Sequence, residues 1–133
     1  ADVLRIPLDE IGPLSLDATE EVRISNPCAV FAKSEVAALV RQGRDRREIL
    51  AGLHEAIATR VHAILRKVNV EPEFVIAGGI GKNPGVVRRV EAKVGLPALL
   101  PPEPQITGAL GAALFAADRV AEGAERRPRQ PIS

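Results

Sequence analysis

A glycine-rich stretch, VIAGGIGKNPG, carries the residues best suited to bind a ligand. Gly78 and Gly79 end an apolar run, and Lys82 and Asn83 follow just before Pro84. Glycines let the backbone approach a ligand closely, and a helix that begins here would offer N–H groups to an anion. The glycine spacing fits neither a Walker A loop nor a dinucleotide fingerprint. The stretch indicates nucleotide binding, with an ordinary strand–helix turn as the alternative.

A second stretch, PPEPQITGALGAAL, begins at Pro101 and leads into a helix whose face is built from small residues. Such a face allows close packing against a cofactor, although tight packing against a sheet is the commoner reason for it. Gln105 stands at the start of this helix. Its side-chain amide is a candidate hydrogen-bonding partner for a nucleobase.

The single cysteine, Cys28, lies in SNPCAVFAKSEV, where turn-forming residues give way to a helical pattern. A helix N-terminus stabilises a thiolate, which favours reactivity or metal ligation. A lone cysteine is more often a small buried apolar residue. The local pattern leaves both interpretations open.

The remaining polar candidates favour no catalytic site. His54 and His62 are eight residues apart on one predicted helix, which does not match an i,i+4 metal pair, so we expect both on the surface or partly buried. The pair Arg88-Arg89 is interpreted as a solvated face. No residue is predicted to act directly as a catalytic group.

Strands alternate with helices along the chain, which indicates an α/β fold with a mostly parallel sheet. Asp45 and Glu48 form a capping-box pattern before the longest helix. The predicted helices cover residues 8–18 (broken at Gly12-Pro13), 31–42, 45–68, 84–94 and 105–121, and the predicted strands cover 20–25, 73–79 and an extended piece near 96–104. The polar tail 121–133 is predicted to be disordered.

Composition narrows the function classes. The chain has 133 residues and a net charge of +1, too little positive charge to indicate attraction to the phosphates of a nucleic acid. It has three Phe and neither Trp nor Tyr, so few aromatic side chains are present on which bases could stack. No apolar run is long enough to span a membrane. One cysteine excludes an internal disulfide. We therefore expect a cytoplasmic protein without nucleic-acid or membrane partners.

Four stretches together resemble the carboxyl-terminal half of the BadF/BadG/BcrA/BcrD ATPase family. They occur in order between about Val3 and Leu114: ISNPCAVFAKSEV, ILAGLHEAIATRV, VIAGGIGKNPGVV and PPEPQITGALGAAL. This family contains the activators of 2-hydroxyacyl-CoA dehydratases (such as 2-hydroxyglutaryl-CoA dehydratase) and the ATPase subunits of benzoyl-CoA reductase, enzymes of anaerobic metabolism.

The resemblance implies an actin/Hsc70/sugar-kinase-like (ribonuclease H-like) subdomain, with a mixed sheet and packed helices over residues 1–120. It implies ATP or ADP binding with Mg²⁺, and a [4Fe-4S] cluster shared across a dimer. Cys28 then matches a cluster ligand. The implied nucleotide contacts are Gly78, Gly79, Lys82, Asn83 and Gln105.

The chain also departs from the family pattern. Gln is frequent where this chain has Lys82, and Ser or Lys with Cys-Thr is frequent around Cys28. The family's amino-terminal phosphate loop and its second cysteine are absent from this sequence, and Met is absent throughout. We expect a piece of a longer polypeptide, with initiator removal as the simpler alternative. Because a cluster needs four thiolates, a homodimer of this chain would supply only two.

The resemblance predicts part of an ATPase that couples hydrolysis to low-potential electron transfer toward a CoA-ester reductase or dehydratase component. A benzoyl-CoA reductase subunit is preferred slightly over a dehydratase activator. The chain by itself is predicted to be inactive. A non-catalytic α/β binding or assembly module is the alternative function.

Overall fold

The computed structural model describes residues 2–25 and 29–121, in which helices dominate. Their bounds are α1 (Ile11–Leu16), α2 (Ala29–Arg41), α3 (Arg46–Leu65), α4 (Pro84–Val94) and α5 (Thr107–Ala121), with short 3₁₀ helices at Asp2–Leu4, Gly79–Lys82 and Pro104–Ile106. The predicted helices therefore exist near their predicted places. Residues 122–133, where most of the predicted disordered tail falls, lie outside the described residues.

The core lies where α3 packs against α1 and α4. One apolar cluster includes Ile49 and Leu50 of α3 together with Leu4, Val22 and Val36. A second cluster joins Ala58 of α3 to Val86 and Val90 of α4. Helix α3 is thus the central element, because it contributes buried residues to both clusters.

Local sequence signals determine the ends of α3 and α4. Asp45 caps α3 by accepting a hydrogen bond of 2.8 Å from the backbone N–H of Arg47. Asn83 caps α4, Pro84 occupies its first turn as predicted, and Gly95 ends it with a left-handed φ of 78°. These conformations are those that favour Asp or Asn before a helix and Gly after it.

Helix α1 runs through Gly12-Pro13, where the sequence predicted a break. Pro13 lies in the first turn, where a backbone N–H has no intrahelical partner, so its missing donor costs α1 no hydrogen bond. The predicted break at Gly12-Pro13 is therefore wrong, and α1 is continuous from Ile11 to Leu16.

The predicted strand 20–25 is not paired in a sheet. It has no regular secondary structure and crosses α3, where the Val22 N–H donates to the Glu48 carbonyl over 3.2 Å. A Cβ at Gly52 would lie 1.7 Å from the Val22 carbonyl oxygen, so the crossing requires glycine. Contact with a helix replaces the expected strand pairing.

Sheet structure within the described ranges consists of one parallel bridge between Val75 and Leu99. The Ile76 N–H donates to the Leu99 carbonyl, and the Leu99 N–H donates to that of Phe74. Phe74 and Ile76 pack against the second cluster, whereas Val75 is 54% exposed. Helices therefore cover only one face of residues 73–79, and this apolar run is not buried on both faces.

Helix α5 contains no buried residue. Leu110, Leu114 and Phe115 are all more than half exposed. Nothing lies within 4 Å of a Cβ built on Gly108 or Gly111, so the small-residue face has open space beside it. The close packing expected of this face is absent among the described residues. None of the helices described is long and apolar enough to cross a membrane.

Candidate functional site

The glycine loop (residues 78–83) makes a tight turn between the bridge-forming segment and α4. Gly78 adopts a φ of 88°, which favours glycine, and the short 3₁₀ helix Gly79–Lys82 follows. The Gly81 N–H donates to the Gly78 carbonyl, and the Asn83 N–H donates to the Ile80 carbonyl, each over 3.0 Å. The loop is thus held by its own backbone and leaves Gly79 exposed.

The second predicted stretch lies directly against this loop. The Gly78 N–H donates to the Pro104 carbonyl over 2.6 Å. A Cβ at Gly81 would lie 2.9 Å from the Cβ of Pro104, so glycine permits the contact, whereas one at Gly79 would lie 4.0 Å from Cδ of Gln105. The structure therefore brings Gly78, Gly79 and Gln105 together on one open surface.

An ion pair also joins the two stretches. Lys82 Nζ lies 2.7 Å from a carboxylate oxygen of Glu103, and both side chains are about half exposed. Glu103 was not among the predicted site residues, although its opposite charge in PPEPQ was the available signal. Lys82 thus lies at the site with its charge partly balanced.

The Asn83 side chain is directed toward the protein rather than toward solvent. Its Oδ1 accepts from the Val86 N–H over 3.2 Å, and its Nδ2 lies 3.2 Å from Nε2 of His54. Pro84 has no N–H to offer, and that of Val86 is occupied. The first turn of α4 therefore has less capacity for an anion than the sequence suggested, and Asn83 contributes to loop geometry.

His54 lies beneath the glycine loop and is only 3% exposed, so the expected surface or partly buried position is wrong. Its Nδ1 is buried without a hydrogen-bond partner. Burial, with a smaller effect from the charge of Arg89, lowers the pKa of His54 to about 4. The imidazole is therefore neutral at physiological pH.

Arg89 holds α4 to the preceding part of the chain. Its guanidinium donates to the carbonyls of Gly85 and Ser15 over 2.9 and 3.2 Å, and it forms an ion pair of 2.9 Å with Glu21. The expectation of a solvated Arg88-Arg89 face is correct for exposed Arg88 and wrong for Arg89. Arg89 thus stabilises the scaffold below the loop.

Gly85 allows the three elements below the loop to meet. A Cβ at this position would lie 2.1 Å from Ser15 Oγ, 2.7 Å from His54 Nδ1 and 2.8 Å from the Gly12 carbonyl oxygen. No single sequence motif contains this cluster, because its members come from α1, α3 and α4. Sequence reasoning therefore missed it.

Cys28 lies outside the described residues. Within residues 2–25 and 29–121, no three His, Cys, Asp or Glu side chains are grouped to hold a metal ion. A cleft of about 440 Å³ does lie between residues 21–25 and α3, but none of the predicted site residues lines it. Three of the predicted nucleotide contacts, Gly79, Lys82 and Gln105, are by contrast exposed on an open surface.

Comparison with known proteins gives a consistent result. The sequence model described as the BadF/BadG/BcrA/BcrD ATPase family matches residues 1–116. The chain is 41% identical over 116 residues to the activator of lactoyl-CoA dehydratase of Anaerotignum propionicum, covering 87% of this chain and 45% of that protein. It is 34% identical over 125 residues to a benzoyl-CoA reductase subunit of Thauera aromatica, covering 90% and 44%.

The fold is also shared with solved structures. The activator of 2-hydroxyisocaproyl-CoA dehydratase from Clostridium difficile, solved with bound ADPNP, superposes with a TM-score of 0.87 at 34% identity, covering 100% of this chain and 49% of that one. The Acidaminococcus fermentans (R)-2-hydroxyglutaryl-CoA dehydratase component A gives a TM-score of 0.84 at 36% identity, covering 91% and 47%. These neighbours confirm the predicted actin/Hsc70-like α/β class. The chain spans about half the length of the relatives that it matches.

Proposed function

We propose that this chain supplies the adenosine side of an ATP site, because it belongs to the BadF/BadG/BcrA/BcrD ATPase family. In the whole protein, hydrolysis at this site would drive low-potential electron transfer to a CoA-ester reductase or dehydratase component. The enzyme is the full-length ATPase. This chain contributes one wall of its nucleotide cleft.

The observation that carries the proposal is the meeting of the glycine loop with Gln105. A loop without side chains at Gly78 and Gly79 lets a flat base or ribose approach the backbone, and the Gln105 amide can both donate and accept beside it. Lys82 adds a positive charge at the rim, within reach of Glu103. These groups suit a nucleoside, and Mg²⁺ and the phosphates would be held mainly by residues beyond this chain.

The cluster chemistry of the proposal is not supplied by this chain alone. A [4Fe-4S] cluster takes four thiolates, whereas the sequence has one cysteine, Cys28. Two copies would bring two thiolates to a dimer interface. The residues present therefore do not fit a complete cluster, and Cys28 is proposed as one of two ligands per full-length subunit.

The partner would be a reductase or dehydratase component that receives the electron. Identities of 34–41% to a reductase subunit and to an activator leave both partners in the proposal. The slight preference for a benzoyl-CoA reductase subunit, taken from the sequence motifs, is not supported by these identities, because the activator is the more similar of these two relatives. The assembly of the purified full-length protein would distinguish the two kinds of protein. A homodimer would indicate a dehydratase activator, and a hetero-oligomer would indicate a reductase subunit.

Isothermal titration of the chain with Mg-ADP and with adenosine tests the nucleotide site. We expect weak binding of both ligands with similar affinity, because the phosphate-binding half is not supplied. Gln105→Ala should weaken binding about tenfold, the effect of losing one or two hydrogen bonds. Lys82→Ala should also weaken binding, because it removes the positive charge at the rim. Lys67→Ala, which removes an exposed lysine after α3, is its matched control.

Two results would contradict this proposal. One is unchanged affinity in both Gln105→Ala and Lys82→Ala. The other is robust ATP hydrolysis by these 133 residues that is lost in Lys82→Ala, because a complete active site would then be present.

A second candidate function, a non-catalytic binding or assembly module, is favoured by one specific observation. Lys82 is paired with Glu103, and Asn83 is directed inward, so two predicted ligand contacts already have protein partners. In that case the glycine loop is a packing device. Failure of the full-length protein to bind ATP analogues would support this function over the first.

A further inference from the structure

We propose that His54 is a positioning residue for the glycine loop: its neutral imidazole holds the Asn83 side chain in the orientation that caps α4. The role depends on the proposed function only in treating this loop as the ligand-facing surface. The contact joins the middle of α3 to the last residue of the loop, 29 positions away in sequence.

The hydrogen-bond pattern fixes the direction of this contact. Asn83 Oδ1 accepts from the Val86 N–H, so its Nδ2 is the atom that faces His54. An amide nitrogen can only donate, and therefore Nε2 of His54 must accept. The neutral ring then carries its proton on Nδ1.

The surroundings of the whole ring, at Nε2 above all, explain why the other protonation states are disfavoured. Nδ1 is buried and unpartnered, and it faces the backbone of Gly85. The elements packed around the ring contribute neutral Ser15 from α1 and the positive charge of Arg89 from α4, while Glu55 beside it on α3 is bonded to Lys93. An imidazolium would set its Nε2–H against the Asn83 amide and face the charge of Arg89. Nε2 of His54 therefore accepts a hydrogen bond from the Asn83 amide.

A neutral His54 that accepts a hydrogen bond at Nε2 keeps the Asn83 side chain in its capping orientation. If Nε2 carried the proton, the Asn83 amide would be driven to rotate, and Oδ1 would leave the Val86 N–H. The side-chain cap would be lost, and the end of the glycine loop would lose its side-chain tie to α3. His54 thus determines which way Asn83 points without itself reaching the surface.

Ring ¹⁵N NMR of the intact chain tests the geometry directly and needs no variant. We expect the Nδ1–H tautomer for His54, unchanged from pH 8 down to about pH 5. Detection of the Nε2–H tautomer, or of a charged ring near neutral pH, would overturn the proposal.

Variants test the positioning role through hydrogen exchange at the Val86 amide. His54→Leu removes the acceptor and should speed exchange by about tenfold, as expected for a weakened hydrogen bond. His54→Gln can supply an amide oxygen and should restore most of the protection. His62→Leu, on the same helix but away from the loop, is the matched control and should leave exchange unchanged.

The exchange result separates this proposal from the proposed function. Equal acceleration in His54→Gln and His54→Leu would overturn the positioning role, because packing alone would then account for it. Slower exchange in wild type than in His54→Leu, with rescue by Gln, supports the role even if Mg-ADP does not bind. In a chain that does bind Mg-ADP, His54→Leu should weaken binding and His54→Gln should not.

Discussion

At the scale of the residue, His54 makes stability depend on pH. Its pKa is about 4 in the folded chain, against 6.5 for an ordinary histidine, so the unfolded chain binds the proton more readily between these values. Stability is therefore fully retained above pH 6.5 and decreases as pH falls toward 4, by up to about 3 kcal/mol at the lower end.

Urea unfolding at pH 7 and pH 4.5 would measure this loss. His54→Gln should lose less stability over the same interval, because glutamine does not titrate. An identical pH dependence in the wild type and in His54→Gln would contradict the prediction.

Two glycine-to-alanine changes should act in opposite directions. Gly85→Ala places a methyl group 2.1 Å from Ser15 Oγ and should destabilise the chain by about 1–3 kcal/mol or more. Gly108→Ala in α5 meets nothing within 4 Å and should stabilise it by about 0.5–1 kcal/mol through helix propensity. Thermal unfolding of both variants would check this, and loss of stability in Gly108→Ala would contradict it.

The residues of the site were predictable individually but not in their contacts. Gly78, Gly79 and Gln105 stand out by type and by place in the sequence, and the structure brings them together. Their nucleotide contacts stay a prediction. His54 and Arg89 were misjudged because burial of a polar side chain depends on partners far away in sequence, in this case Asn83 and Ser15.

At the scale of the element, the caps of α3 and α4 should differ in their contribution to stability. Asn83→Ala removes a partly buried cap that also donates to His54, whereas Asp45→Ala removes an exposed cap. A cap is worth about 0.5–2 kcal/mol, and we expect Asn83 near the upper end of this range and Asp45 near the lower. Urea unfolding of the two variants would measure this difference, and a larger loss in Asp45→Ala would contradict it.

The helices were predictable because their signals are local. Asp45, Asn83 and Gly95 lie at the ends that they define. The strands were not, because a strand needs a neighbour that the pattern of its own residues does not specify. Residues 20–25 alternate like a strand, yet they lie across α3 instead.

At the scale of the whole molecule, stability should depend almost entirely on the packing of α1, α3 and α4. Leu50→Ala, at a residue only 2% exposed, should cost about 2–5 kcal/mol. Leu114→Ala in α5, at a residue 59% exposed, should change the free energy of unfolding by less than about 0.5 kcal/mol. Calorimetry of both variants would check the contrast, and similar losses would show that α5 is buried in solution.

The crossing of residues 21–25 over α3 has a consequence for reading other sequences. The obstacle at Gly52 is a backbone oxygen, the Val22 carbonyl, so no exchange of a neighbouring side chain can make room for a larger residue. In a related protein, glycine at the corresponding position is compatible with this crossing. Any other residue there requires the preceding segment to follow another path, so one letter of the alignment reports on the course of the chain some thirty residues earlier.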